Sequence, residues 1–183
     1  MRIKLIVPKT KQRGFTLMEV LVATILLLTG IVAVAQLVPV AVNANNGNRR
    51  DSTAAVIAQR QLTQFLQLPV TFPGPYLYTD PNGNIISCNL GDPTQPGVTV
   101  GSPVINTGSR PSIDFSAAKV AGYNFTTTAD PEDPYKATYD VRWAVITAGN
   151  GTSATSRRFI IAARQVNVNS FVLPLTLDAM VQR

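Results

Sequence analysis

Apolar residues fill the chain from Phe15 to Val42, a run of 28 positions carrying a single charge, Glu19. At 1.5 Å rise per residue, about 20 helical residues cross a ~30 Å hydrocarbon layer, so this run predicts a membrane-spanning helix. A removable secretory core is only about 7–15 residues long. The run exceeds that, and the helix is expected to stay in the mature chain. After a polar interval, Asn43 to Asp51, apolar positions recur at Ala55, Ala58, Leu62, Phe65 and Leu66. Spacings of three and four put them on one face of an amphipathic helix, with Arg50, Gln59, Arg60, Gln61 and Gln64 largely elsewhere. Pro69 closes it. The two patterns together predict a helix of about 50 residues, roughly 80 Å long. Pro39 lacks a backbone donor, and Asn45-Asn46-Gly47-Asn48 is a poor helix former, so a kinked or locally melted segment is expected near residues 36–48.

Past Pro69 the pattern changes. Residues 69 to about 111 are dense in Pro, Gly, Asn, Asp and Thr. One hairpin is predicted there: Pro75–Thr79 and Asn84–Cys88 flank Asp80-Pro81-Asn82-Gly83, a turn-forming sequence. The remainder, including Gly91 to Gly97, reads as surface loop. Further on, Tyr139, Val141, Trp143 and Val145 alternate with Thr138, Asp140, Arg142 and Ala144, the period of a half-buried strand. Arg157 to Val166 reads as a second strand, with Phe159, Ile161 and Ala163 on one face. Phe171, Leu173, Leu175, Leu177, Ala179 and Val181 mark a third. Consecutive strands with short polar connections predict an antiparallel meander, and the amphipathic helix is the available cover for its apolar face. The expected fold class is α+β, a long amino-terminal helix packed on an antiparallel sheet.

Charge sharpens the picture at one end. The chain has 16 basic and 10 acidic residues. Arg2, Lys4, Lys9, Lys11 and Arg13 lie within the first 14 positions with no acid among them, which leaves 11 basic against 10 acidic residues, a net of +1, beyond them. Excess Lys/Arg flanking a span stays on the cytoplasmic side. The expected topology is therefore a cytoplasmic start, one span, and everything after Val42 exported. The basicity belongs to the leader, so a nucleic-acid partner is not expected. The sequence has no histidine and one cysteine, Cys88. Histidine triads and His–metal sites are excluded, and Cys88 is expected to be a half-buried apolar residue.

The sequence Lys11-Gln12-Arg13-Gly14-Phe15-Thr16-Leu17-Met18-Glu19 joins a basic stretch ending in glycine to the apolar run. A charge inside hydrocarbon costs roughly 2.5–3.5 kcal/mol on insertion scales, so Glu19 asks for a function. This segment resembles the processing signal of type IV prepilins and of the pseudopilins of type II secretion. The resemblance implies that prepilin peptidase cuts between Gly14 and Phe15, with Lys11 and Arg13 the leader's last basic residues. It further implies that Phe15 becomes an N-methylated amino terminus and that Glu19 serves filament assembly. Expected domains are a leader at 1–14, a transmembrane and filament-core helix at 15–42, its amphipathic continuation at 43–68, and an exported β-rich domain at 69–183. The helix text Ala54–Leu62 and the strand pair Tyr139–Ile146 and Arg157–Arg164 look most like minor pilins of the pilus-modification type or I-type pseudopilins. Implied partners are prepilin peptidase, other pilin or pseudopilin subunits, an inner-membrane assembly platform and membrane lipid. The implied location is the inner membrane as a single-pass protein with a periplasmic domain, then the filament.

The search for catalytic chemistry returns nothing: no catalytic residue, metal site or cofactor is expected, and the chain reads as a structural subunit rather than an enzyme. Asp130, Glu132 and Asp133 form an acidic cluster between prolines and read as a solvated loop. Asn124-Phe-Thr126 and Asn150-Gly-Thr152 are glycosylation-type triplets. Competing readings are a pilin-like module for DNA uptake or adhesion, for which Arg157, Arg158 and Arg164 are the basic candidates, and a membrane-anchored periplasmic enzyme.

Overall fold

The computed structural model describes residues 14–72, 74–107, 110–129, 137–166 and 172–182. Lys11, Arg13, the cluster Asp130, Glu132 and Asp133, and Phe171 lie outside the described residues. The chain divides into two compact units, one ending at Asn46 and one beginning at Gly47. A single helix, α1, runs Leu17–Leu66. It stays helical through Pro39 and through Asn45–Asn48, so the melted segment expected near 36–48 is absent. Pro39 withholds one donor, that due to the carbonyl of Ala35. Asn and Gly each cost at most about 1 kcal/mol relative to Ala, too little to break a helix with long helical stretches on both sides.

In the first unit no residue from Gly14 to Asn46 is buried. Leu17–Leu66 is the one helix among the described residues long and apolar enough to cross a membrane, with mean hydropathy 2.5 over its most apolar window. That window needs a covering solvent of its own kind.

In the second unit the helix buries Ala54, Ala58, Gln61 and Phe65. These positions repeat at intervals of four, three and four, a face rotated slightly from the expected one. Leu62 is only partly buried and Leu66 is exposed, while Gln61, expected on the polar side, is 4 % exposed. Ala54 and Ala58 enter the buried core cluster, as does Phe65. Its ring stacks on Phe159 at 5.1 Å with 1° between planes, and lies 5.6 Å from Trp143 and 5.8 Å from Tyr76.

The sheet is built on two long strands, β7 (Thr138–Gly149) and β8 (Ala154–Val166), with β9 (Leu175–Gln182) beyond β8. All pair antiparallel, Trp143 opposite Ile161 and Phe159 opposite Ala179, which is the expected meander. The hairpin also forms as read, β1 (Tyr76–Thr79) against β2 (Ile85–Cys88). Its turn is held by Asp80, whose Oδ1 accepts from the backbone N–H of Asn82 at 2.9 Å and of Asn84 at 2.7 Å. Burial tends to raise the Asp80 pKa, but hydrogen bonds from Asn84 and Asn82 outweigh it and hold it below the usual carboxylate value.

Four strands fall where loop was expected or no element was read: β3 (Thr99–Gly101), β4 (Val104–Thr107), β5 (Arg110–Ile113) and β6 (Asn124–Thr128). β3 and β6 both pair with the free edge of β7, β6 along Thr138–Arg142 and β3 along Ala144–Ile146. The handover falls at Trp143, whose carbonyl accepts from Ser102 N–H while its own N–H donates to Tyr123 O. Gly101 is required there: its φ is +105°, and a Cβ would sit 2.5 Å from the Tyr123 ring and 2.7 Å from Trp143 O. The β4–β5 hairpin covers the other sheet face, where Ile113 and Phe115 pack on Ala144, Ile160 and Ala162. The strand expected to be half-buried is thus buried on both faces, Asp140 and Arg142 included. Those two charges are paired, Arg142 Nε and Nη2 donating to Asp140 Oδ2 at 3.1 and 3.0 Å.

A fragment spanning residues 43–183 is expected to fold cooperatively, since it keeps every buried contact described above. In that fragment Phe65→Ala is expected to cost about 3–5 kcal/mol, the range for emptying an aromatic core site. Urea unfolding checks it, and a midpoint equal to the parent's would refute the central position given to Phe65.

Candidate functional site

Glu19 sits in the first turn of α1 and is exposed, as is Phe15 at 84 %. Thr16 is the residue before the first helical position and caps the helix. Its Oγ1 accepts from Glu19 N–H at 3.2 Å, and Glu19 Oε2 accepts from Thr16 N–H at 3.4 Å. This reciprocal pair is a capping box, in which two of the backbone donors that a helix start leaves unpaired are satisfied. The negative carboxylate also lies at the positive end of the helix dipole. Reading the residues for function missed Thr16, although its signal was present: a Thr followed three residues later by Glu, ahead of an apolar run. Thr24 and Thr29 turn inward on their own helix, each hydroxyl donating to the carbonyl three residues back, Leu21 at 2.8 Å and Leu26 at 2.9 Å. Of these polar groups in the run, Glu19 alone carries charge.

The structure brings Gly14, Phe15, Thr16 and Glu19 together at one helix end, and it disperses the other candidates. Cys88 is fully buried and accepts from the Trp143 indole N–H at 3.4 Å. Burial pushes its thiol up to about 11, with the Trp143 bond working the other way, so it stays a protonated core residue. The three arginines do not form a patch. Arg157 is buried and donates to Phe72 O at 2.6 Å, and burial lowers its pKa. Arg158 pairs with Asp178, Nε to Oδ1 at 2.8 Å, which raises its pKa. Arg164 lies over the Phe115 ring at 4.6 Å. Asn124 of the first glycosylation-type triplet spends its Nδ2 on Val120 O. Asn150 of the second is exposed in the β7–β8 turn, where its Oδ1 accepts from the backbone of Thr152 and Ser153. Among the described residues no group of three or more acidic, Cys or His side chains is placed to hold a metal ion.

Residues 9–35 match the family model of the prokaryotic N-terminal methylation motif. No curated protein and no solved structure matches the chain. The motif match covers the helix end just described and about three quarters of the apolar run. The chain carries a type IV pilin-like prepilin signal, the mark of a prepilin peptidase substrate and of a pilin-type structural subunit. With the apolar helix behind it, the signal fits an inner-membrane anchor and a pilus-like filament.

Replacing the cap isolates its contribution. Thr16→Ala is expected to cost the first turn about 1 kcal/mol, the usual worth of an N-cap hydroxyl. Amides of Leu17 to Val20 should then exchange several-fold faster in detergent micelles, with those beyond Leu26 unchanged. Equal exchange in both proteins would refute the capping box.

Proposed function

We propose that this chain is a structural minor pilin or pseudopilin subunit. It is cut between Gly14 and Phe15, methylated on Phe15, held in the inner membrane by residues 15–42, and assembled into a type IV pilus or a secretion pseudopilus. In this reading residues 1–14 are the leader, with Lys11 and Arg13 in its basic stretch, residues 43–68 carry the exported domain on the same helix, and residues 69–183 form the rest of that domain. The observation that carries the reading is the apolar run with its one carboxylate. Every residue from Gly14 to Asn46 is exposed, and the only charge among Phe15 to Val42 is Glu19.

Cleavage would place a new α-amine one residue before the capping Thr16. That amine is positive, Glu19 is negative, and in one subunit the two belong to neighbouring turns. Between subunits they can meet in a water-poor filament core, where opposite charges attract far more strongly than in water. Each subunit alone bears the cost of a carboxylate in lipid, and docking offsets it. The apolar faces around Glu19 then pack helix on helix, driven by close contact rather than by exclusion of water.

Intact-mass measurement of membrane-extracted protein is expected to give a chain starting at Phe15 plus one methyl group, and Gly14→Val should leave the leader attached. A mature terminus near residue 43 would mean a removable signal and would overturn the proposal. Glu19→Ala is expected to separate three steps: insertion and cleavage proceed as in the parent, while the ratio of subunit in sheared filaments to subunit in membranes drops at least tenfold. An unchanged ratio would remove Glu19 from assembly whatever the mass measurement gave.

A further inference from the structure

In an Asn-Gly pair the glycine nitrogen can reach the asparagine side-chain amide, because glycine brings no Cβ to hinder it and adopts the backbone angles that ring closure needs. The chain holds three such pairs, Asn46-Gly47, Asn82-Gly83 and Asn150-Gly151. The fold treats them differently. Asn46 and Gly47 lie inside α1, where the Gly47 N–H is committed to the helix ladder. In the β1–β2 turn the Gly83 N–H donates to Asp80 O at 3.0 Å. Asn82 Nδ2 donates there to Thr126 O at 2.6 Å and to Asp80 Oδ2 at 3.4 Å. The nitrogen that would attack and the nitrogen that would leave are both held.

Asn150-Gly151 has neither restraint. The pair is exposed in the turn between β7 and β8, and a Cβ on Gly151 would meet nothing within 4 Å. Neither the Gly151 N–H nor Asn150 Nδ2 has a hydrogen-bond partner among the described residues. Asn150 Oδ1 is engaged instead, accepting from the N–H of Thr152 at 3.2 Å, the N–H of Ser153 at 2.9 Å and the Thr152 hydroxyl at 3.0 Å. Two backbone N–H groups can face only an acceptor, so they assign this atom as the oxygen and leave Nδ2 as the free end. Donors aimed at a carbonyl oxygen stabilise the negative charge it gains when its carbon is attacked.

We infer that Asn150-Gly151 is a self-modifying site, at which Asn150 loses its side-chain amide and becomes aspartate or isoaspartate. The Gly151 nitrogen gives its proton to solvent hydroxide and bonds to Asn150 Cγ, and negative charge moves onto Oδ1. The Cγ–Nδ2 bond then breaks, and the nitrogen leaves as ammonia, taking a proton from solvent and closing a succinimide. One water opens that ring. Attack at Cγ leaves aspartate, and attack at the backbone carbonyl carbon leaves isoaspartate, with the chain running through the former side chain. One water is consumed and one ammonia released, with no oxidant or reductant. The product carries a new negative charge at the connection between the two longest strands, and isoaspartate lengthens that connection by one carbon. Every residue of the turn belongs to the unit that begins at Gly47, so the inference does not depend on filament assembly.

The test holds the full chain in detergent micelles at neutral pH in oxygen-18 water for several weeks. Peptide mapping by mass spectrometry, with electron-based fragmentation, then locates the label and tells isoaspartate from aspartate. Short peptides carrying each pair supply the rates without the fold. Asn150 is expected to convert at a rate within about threefold of its peptide, while Asn46 and Asn82 fall at least tenfold below theirs. Raising the pH by one unit should speed the reaction at Asn150 several-fold, since the attacking nitrogen must lose its proton. No label at Asn150, or a rate tenfold below its peptide, would mean that the turn protects this pair as well and would overturn the inference. So would conversion at Asn82 as fast as at Asn150, or a rate indifferent to pH.

Discussion

One helix must satisfy two different surroundings, and the rest of the structure follows from that constraint. Up to Asn46 every described residue is exposed and most are apolar, so that stretch belongs in a medium as apolar as itself. From Gly47 the same helix offers a narrow face of Ala54, Ala58, Gln61 and Phe65 to a sheet. Ala54 and Ala58 enter the core there, and Phe65 joins Phe159, Trp143 and Tyr76 in one aromatic cluster. The first stretch meets lipid or other helices, and the second meets its own domain. The sequence changes character at the point where the two requirements change over.

The amino-terminal end shows how a polar group is tolerated in such a helix. The Thr24 and Thr29 hydroxyls spend their one donor on their own backbone and carry no charge. Glu19 also has a local bond, to the N–H of Thr16, but a carboxylate has several lone pairs and a full charge, and one long hydrogen bond leaves most of that capacity unused. A residue so placed is locally tolerable and still able to gain from a cation brought to it. Under the proposed function, that combination suits a subunit that first waits in a membrane and then joins a filament.

What the residues disclosed, and what they withheld, divides along the range of the interactions. The helix, the hairpin and the meander were legible because their signals are local: spacings of three and four, the Asp80-Pro-Asn-Gly turn, and period-two alternation in long strands. The capping box was equally local and went unread only because Glu19 drew attention to charge rather than to its partner Thr16. Strands β3 to β6 were not legible, because runs of three to five residues rich in Thr, Asn and Pro carry no period of their own. β3 and β6 exist because β7 offers them an edge. β4 and β5 pair with each other and lie over Ala144, Ile160 and Ala162. The burial of Asp140 and Arg142 followed from that covering, as did the loss of half-exposed alternation in β7. Gln61 was placed on the wrong side because polarity alone does not set which face of a helix is buried.

The shared edge of β7 has a consequence for how this protein can vary. One long strand carries two short ones end to end, and their connections run from Ser102 to Tyr123 outside the main sheet. The strand fixes where each short segment must touch down, at Gly101 and at Phe125, and the chain between them must still bring Ile113 and Phe115 onto Ala144, Ile160 and Ala162. Variation in that stretch is therefore confined to its exposed positions, among them Pro103, Ile105 and Arg110. Under the proposed function, a lineage could remodel what a filament displays at those exposed positions without disturbing the aromatic cluster or the Ile113 and Phe115 layer.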